Sequence, residues 1–292
     1  MAIPEKQNIK KYHFKNELNL QVEIVDLENL VQNSAPFLTV PHRTDFYHIF
    51  IFQNCNPIHS IDFETIEIQP FSLLFLDKDR VHQFDKNLNY KGKILIFTED
   101  FFCVNENDLK FLRSSILFND LFDQANVLVG EGISQFFQIC EWIEKELNTI
   151  NDALSKDIIK NCVHNFLLLA ERKKRQQGFK AFKKSADLDY TLLFKDLLEQ
   201  NFSQIKNVSQ YADKMAISEK RLNQALSKIL GKNPKEMIDE RVLLEAKRLL
   251  VHTNLSIKEI AYKLGFEEPT NFIKYFRKHT QSTPTEFREQ YL

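Results

Sequence analysis

One pattern occurs twice in the last ninety or so residues. Asn207-Val-Ser-Gln-Tyr-Ala-Asp-Lys-Met-Ala-Ile-Ser-Glu-Lys-Arg-Leu-Asn-Gln-Ala-Leu is followed about fifty residues later by Ser256-Ile-Lys-Glu-Ile-Ala-Tyr-Lys-Leu-Gly-Phe-Glu-Glu-Pro-Thr-Asn-Phe-Ile-Lys-Tyr-Phe. Each copy opens with a helix-starting residue and an acceptor three positions on, Asn207 with Gln210 and Ser256 with Glu259. Each continues with an inward alanine (Ala212, Ala261), a short turn and a second amphipathic helix. A lone pair of short helices is common in helical proteins. Two copies with a capped helix between them constrain the chain much further, to a module that can lay two helices along one face of a DNA duplex.

In the first copy Val208, Tyr211, Ala212 and Met215 form the inner face, and Ala216-Ile217 turns the chain. Ser218 then caps a helix to about Leu230. Leu222, Ala225, Leu226 and Ile229 face inward, which leaves Lys220, Arg221, Asn223, Gln224, Ser227 and Lys228 outside. In the second copy Ile257, Ile260, Ala261 and Leu264 face inward, and Gly265 suits a left-handed helix end. Phe266 plugs the turn, and Pro269 opens a helix to about His279. Phe272, Ile273 and Phe276 point in, while Thr270, Asn271, Lys274, Arg277 and Lys278 point out. Thr283 to Glu286 caps a last helix bearing Phe287. Between the copies, Asn233, Pro234 and Glu236 start a helix of about 18 residues, about 27 Å long. That is the order of one DNA turn, about 34 Å. Outward amides can read base edges, and Lys and Arg can reach guanine or phosphate.

The net charge of −1 hides an asymmetry. From Leu188 onward there are 17 Lys and Arg against 14 Asp and Glu, so the remainder carries about −4. A mildly basic end on an acidic body fits a DNA module joined to something else. The length of 292 residues allows two domains. The division expected is residues 1–170, a basic linker over 171–186, and 187–292.

The first part divides in turn. Residues 1 to about 20 read as a polar arm. From about Leu20 to Thr98 short aromatic and β-branched runs alternate with turn residues: 46–52, 61–68, 72–76 and 93–97. This spacing predicts a small β-barrel or sandwich. Two amphipathic helices are expected over Ile133 to about Ile150 and Ile158 to Ala170. The second is apolar over a wide arc, so it can bury two faces. Cys55, Cys103, Cys140 and Cys162 form no Cys-x-x-Cys pair, which points to reduced thiols and a cytoplasmic chain. No apolar signal region or membrane-length run is present.

The stretch Gly265-Phe-Glu-Glu-Pro-Thr-Asn-Phe-Ile-Lys-Tyr-Phe-Arg-Lys-His-Thr-Gln-Ser-Thr-Pro-Thr-Glu-Phe-Arg288 resembles the signature of the AraC/XylS family of bacterial transcription regulators. The resemblance covers the last hundred residues. It implies that Lys220, Asn223 and Gln224, with Thr270, Asn271 and Lys274, read bases. Arg221, Arg277 and Lys278 complete the expected DNA-binding set, with Arg277 and Lys278 as phosphate contacts. Gln281 departs from the glycine usual in the family after the second recognition helix. Less specifically, 41–52, 69–76 and 79–84 are similar to the family's cupin-like sensor domain.

The resemblance therefore implies an α+β fold in two domains. The first is a cupin-like barrel with dimerisation helices, and the second is all-α with two helix-turn-helix motifs. It also implies a ligand-responsive activator that is a homodimer, contacts RNA polymerase and binds double-stranded DNA. A small-molecule effector would draw on His42, Arg43, Tyr47, His48, His82 and Phe84. His42 and His48 are an even number of residues apart and can share a face if they lie on one strand. The metalloenzyme pattern of cupins, a His-x-His with a nearby Glu, is missing, so no metal, cofactor or catalytic residue is expected. Two alternatives stay open: a metal-dependent cupin enzyme with a regulatory tail, and a constitutive DNA-binding protein with a purely dimerising barrel.

Overall fold

The computed structural model describes residues 9–14, 20–118, 126–148, 152–179 and 185–291. Most of the N-terminal arm and residues 180–184 of the expected linker lie outside these. The chain divides into two units, Lys10–Ala181 and Phe182–Leu292, with Met1–Ile9 grouped with the second.

The described residues of the first unit hold ten strands: β1 (Lys10–Tyr12), β2 (Val22–Asp26), β3 (His42–Thr44), β4 (Tyr47–Phe52), β5 (Ile58–Ile61), β6 (Glu64–Glu67), β7 (Ser72–Leu76), β8 (His82–Phe84), β9 (Gly92–Phe97) and β10 (Asn126–Leu128). They form two five-stranded sheets, ordered β1-β3-β8-β5-β6 and β10-β7-β4-β9-β2. No pairing among the described residues closes them into one barrel. The chain crosses from one sheet to the other between β3 and β4, at Asp45-Phe46. The arm contributes β1, parallel to β3, which the polar composition did not suggest. The run 61–68, read as one strand, is the end of one strand and the whole of the next. Asp62 turns the chain at φ 54°, a left-handed conformation that aspartate tolerates better than most residues.

The second sheet is covered on both faces, which is why β4 and β7 are buried throughout. Phe50, Phe52, Leu74, Leu76 and Ile94 point toward the first sheet and pack with its Ile61 and Phe84. Tyr47, Ile49, Ile51, Leu73, Phe75, Leu95 and Phe97 point the other way, onto helices. After α1 (Leu27–Leu38), these are α2 (Glu99–Phe102), α3 (Glu106–Ser114), α4 (Ile133–Leu147) and α5 (Ser155–Gln176). Both expected amphipathic helices form, and Phe136 meets Phe166 with ring centroids 4.8 Å apart. Helix α5 runs on into the basic stretch, so residues 171–176 are helical. Lys174 there is buried, with its ammonium donating to the Ile116 carbonyl at 3.0 Å.

Among the described residues the second unit contains only helices: α6 (Ala186–Asn201), α7 (Val208–Lys214), α8 (Glu219–Leu230), α9 (Pro234–His252), α10 (Ile257–Lys263), α11 (Pro269–Thr280) and α12 (Pro284–Glu289). Reciprocal capping boxes form at Asn233/Glu236, Ser256/Glu259 and Thr283/Glu286. Asn207 stands at the N-cap of α7, but its side chain makes no capping bond.

Candidate nucleic-acid interface

The two copies of the sequence pattern fold alike. Helices α7 and α8 turn at Ala216, φ 53°, where the Ile217 amide donates to the Ala212 carbonyl at 3.1 Å. Helices α10 and α11 turn at Gly265, φ 76°, where the Phe266 amide donates to the Ala261 carbonyl at 2.9 Å. Both second helices therefore leave through a left-handed residue followed by an apolar plug. Their inner faces are buried at Leu222, Ala225 and Leu226, and at Phe272 and Phe276.

The outer faces carry the expected polar sets. Lys220, Asn223 and Gln224 are exposed on α8, and Thr270, Asn271, Lys274, Arg277 and Lys278 on α11. Arg221 differs. Its guanidinium is 2.6 Å from the Asp187 carboxylate and sits over the Tyr190 ring, 4.8 Å from the centroid. Lys228 reaches the same carboxylate at 2.6 Å, so Asp187 moors one flank of α8 to α6. These two cations hold Asp187 below the usual carboxylate range. On α11 the equivalent mooring is to Asp239 of α9, which accepts from Tyr275 at 2.8 Å and Lys235 at 2.6 Å. Neither aspartate was found in the sequence, because their partners on the recognition helices, Arg221 and Tyr275, lie 34 and 36 positions away. Helix α9 has 19 residues, about 28 Å at 1.5 Å each, and spans the interval between the two copies.

The expected effector residues divide. His42, His48, His82 and Phe84 meet in the layer between the sheets; Arg43 alternates away from His42 along β3, and Tyr47 faces the helices. Tyr47 stacks on Phe97, with centroids 5.2 Å apart. His42 and His48 lie on different strands in different sheets, yet both reach this layer. His82 is central, with ring centroids 4.3 Å from His42, 5.1 Å from His48 and 5.4 Å from His59. His59 and Tyr90 complete the group and were missed; the alternation of Ile58-His-Ser-Ile61 was the only signal for His59.

The hydrogen bonds fix most of the protons. His42 Nδ1 donates to the Val40 carbonyl at 2.8 Å. The Tyr90 hydroxyl gives its one proton to the Ile58 carbonyl at 2.9 Å, so His59 Nδ1, 3.2 Å from that oxygen, must donate to it. His59 Nε2 is then an acceptor and takes the Nδ1 proton of His82 at 3.2 Å. His82 Nε2 is left a buried lone pair with no partner, and His48 Nδ1 is also unpartnered. Burial lowers all four histidines below the usual imidazole range, His48 and His59 to about 3. Among the described residues, no three His, Cys, Asp or Glu are arranged to hold a metal ion. The four cysteines are free thiols, and no described helix is long and apolar enough to cross a membrane.

Comparison with known proteins agrees with this geometry. Residues 211–290 match a family model described as a helix-turn-helix domain. The chain is 24% identical over 251 residues to the HTH-type transcriptional activator RhaS of Escherichia coli, covering 85% of this chain and 87% of that protein. Among solved structures, it is similar to the C-terminal domain of the response regulator yesN from Fusobacterium nucleatum. That match has 29% identity and a TM-score of 0.32, over 34% of this chain and 98% of that one. It is also similar to apo ToxT from Vibrio cholerae, with 16% identity and a TM-score of 0.39 over 95% of this chain and 100% of that one. The paired helix-turn-helix units, the domain match over them and the activator aligned along most of the length make this chain similar to the DNA-binding transcription regulators of the AraC/XylS family.

Proposed function

We propose that the chain is an effector-responsive activator that reads two adjacent DNA elements. Lys220, Asn223 and Gln224 read one, and Thr270, Asn271 and Lys274 the other. Arg277 and Lys278 hold phosphates, and Arg221 joins them as far as Asp187 releases it. The observation that carries this reading is the pair of exposed, cation- and amide-rich faces on α8 and α11. We divide the roles at residues 1–170, a sensor with a cupin-like strand layout; 171–186, a connector; and 187–292, the DNA module.

Two buried ring nitrogens without partners support an effector site between the sheets. Each costs about 1–3 kcal/mol while unsatisfied, and a ligand bearing N–H or O–H donors would recover that cost. His42, His48, His82 and Phe84 would hold it; Arg43 and Tyr47 point away from this layer. Dimerisation through α4 and α5 is supported by their outer faces. Trp142 is 72% exposed, and a groove of about 320 Å³ runs between Ile139, Trp142, Cys162, Leu168 and Leu169. Contact with RNA polymerase and action in the cytoplasm follow from the role of activator. Nothing in this reading calls for catalysis.

The close ring packing of the histidine cluster favours a second reading, in which the first unit only dimerises and DNA binding is constitutive. Sequencing genomic fragments retained by the purified full chain tests both. A motif of two elements about one helical turn apart is expected, with affinity that changes in a metabolite panel. A motif insensitive to every metabolite would favour the second reading, and no motif under any condition would reject both.

A further inference from the structure

Helix α9 is not the only tie between the two helix-turn-helix units. Lys206 immediately precedes Asn207, the residue that opens the first unit. Its ammonium donates to the Leu264 carbonyl at 2.6 Å and the Ser203 carbonyl at 3.1 Å. It also lies over the Phe266 ring, 4.9 Å from the centroid. Leu264 is the C-cap of α10, so Lys206 neutralises the negative end of the first helix of the second unit. The backbones meet at the same place. A Cβ on Gly265 would stand 1.8 Å from the Ser203 carbonyl oxygen, and at φ 76° glycine is the residue that accepts both constraints. From Phe266 the contact continues to Tyr275 on the second recognition helix, with ring centroids 5.2 Å apart.

The second unit packs on α9 and is moored there through Tyr275 and Asp239, but α9 belongs to neither helix pair. Lys206 adds a direct tie from the residues that open the first unit to the turn of the second. Among the described residues the partners of Lys206 are the two carbonyls and the ring, so its charge is held against the protein. We propose that Lys206 is a positioning residue that locks the second helix-turn-helix unit onto the first and thereby sets the spacing at which the two DNA elements are read. This rests on the two-element reading above. It explains why a lysine half-buried against carbonyls, and pushed below its ordinary pKa by that burial, stands at the threshold of the first unit.

The test uses the full chain and a duplex carrying the motif that the wild-type protein selects from random DNA. Two further duplexes have one base pair inserted between the elements, or the second element scrambled. Wild type should lose on the order of a hundredfold on the insertion, because a rigid pair cannot re-span it. Lys206→Met should lose less than about tenfold on the insertion while binding the scrambled duplex as wild type does. Lys206→Arg, which can still donate to both carbonyls, should restore the spacing penalty. An unchanged penalty in Lys206→Met overturns the proposal, as does a wild-type protein indifferent to spacing. Equal losses on all three duplexes reduce Lys206 to a folding role. If Lys206→Met does not fold, Lys206→Gln, which keeps one donor group on a shorter stem, is measured instead and should show an intermediate penalty. Failure of the two-element reading is distinct, because the selected motif would then contain a single element.

Discussion

The Tyr275 hydroxyl donates to the Asp239 carboxylate at 2.8 Å, joining the second recognition helix to α9 through a nearly buried acceptor. Burial, with Asp239 adding to it, pushes the phenol up, so the proton stays on Tyr275 throughout the physiological range. Tyr275→Phe removes a hydrogen bond to a charged group and should destabilise the unit by about 1.5–3 kcal/mol. Asp239→Asn, which keeps an amide oxygen facing the hydroxyl, should cost less at this contact. Urea titrations of the two variants give the order, and a smaller loss in Tyr275→Phe would remove the bond from the list of what orients α11.

Lys274 is exposed in the middle of α11 and faces away from the buried Phe272 and Phe276. If it reads a base, Lys274→Ala should weaken binding to the selected operator by about 1–3 kcal/mol more than binding to random DNA. Competition titrations at fixed salt measure the difference. Equal loss on both DNAs would make Lys274 a phosphate contact.

The same kind of backbone turn gives opposite outcomes at two sites. Gln281 ends α11 at φ 61°, where α8 ends on Gly231 at φ 68°. A non-glycine residue costs about 1–2 kcal/mol in this conformation, partly offset by the greater chain entropy of glycine. Gln281→Gly should therefore raise stability by about 0.5–1 kcal/mol. Gly265→Ala brings a carbon against the Ser203 carbonyl and should lower it by about 2–3 kcal/mol. Thermal melts of the two variants should move in opposite directions.

If the outer face of α4 and α5 joins two copies, the double variant Trp142→Glu, Leu168→Glu should sediment as a monomer. Both side chains are exposed in the single chain, so folding should survive the change. A wild-type chain that is itself monomeric at micromolar concentration would remove the dimer from the proposed mechanism.

The DNA module was legible because its signals are local. Caps, the three-and-four spacing and Gly265 all act within a few residues, and apart from the Asn207 cap, whose side chain makes no bond, they stand where the periodicity put them. The first unit was less so, because its layers depend on pairings the chain does not announce. His59 joins the cluster only because β5 pairs with β8, which sets it opposite Phe84. Tyr47 leaves the cluster because it precedes His48 on β4, and strand alternation turns it to the helix side. Lys206 and Asp187 went unnoticed for the same reason: their partners are 58 and 34 residues away.

The histidine cluster carries a pH dependence whose sign follows from burial. In the unfolded chain each imidazole titrates near 6.5; in the fold burial holds all four lower, His48 and His59 at about 3. Between those values the unfolded state binds more protons, so stability rises with pH across the window. The contribution is therefore complete above about pH 6.5 and is lost as the pH falls toward 3. Each neutral buried histidine costs up to about 1.4 kcal/mol per pH unit in that range. Hydrogen exchange of the β4 and β8 amides, read by mass spectrometry after correction for the intrinsic exchange rate, should show protection falling between pH 7 and pH 5. His82→Phe should flatten the dependence by removing the central ring that titrates. Protection independent of pH in the wild-type chain would mean that all four imidazoles take up their protons inside the fold as they do in the unfolded chain, and that the layer between the sheets is wetter than its burial indicates.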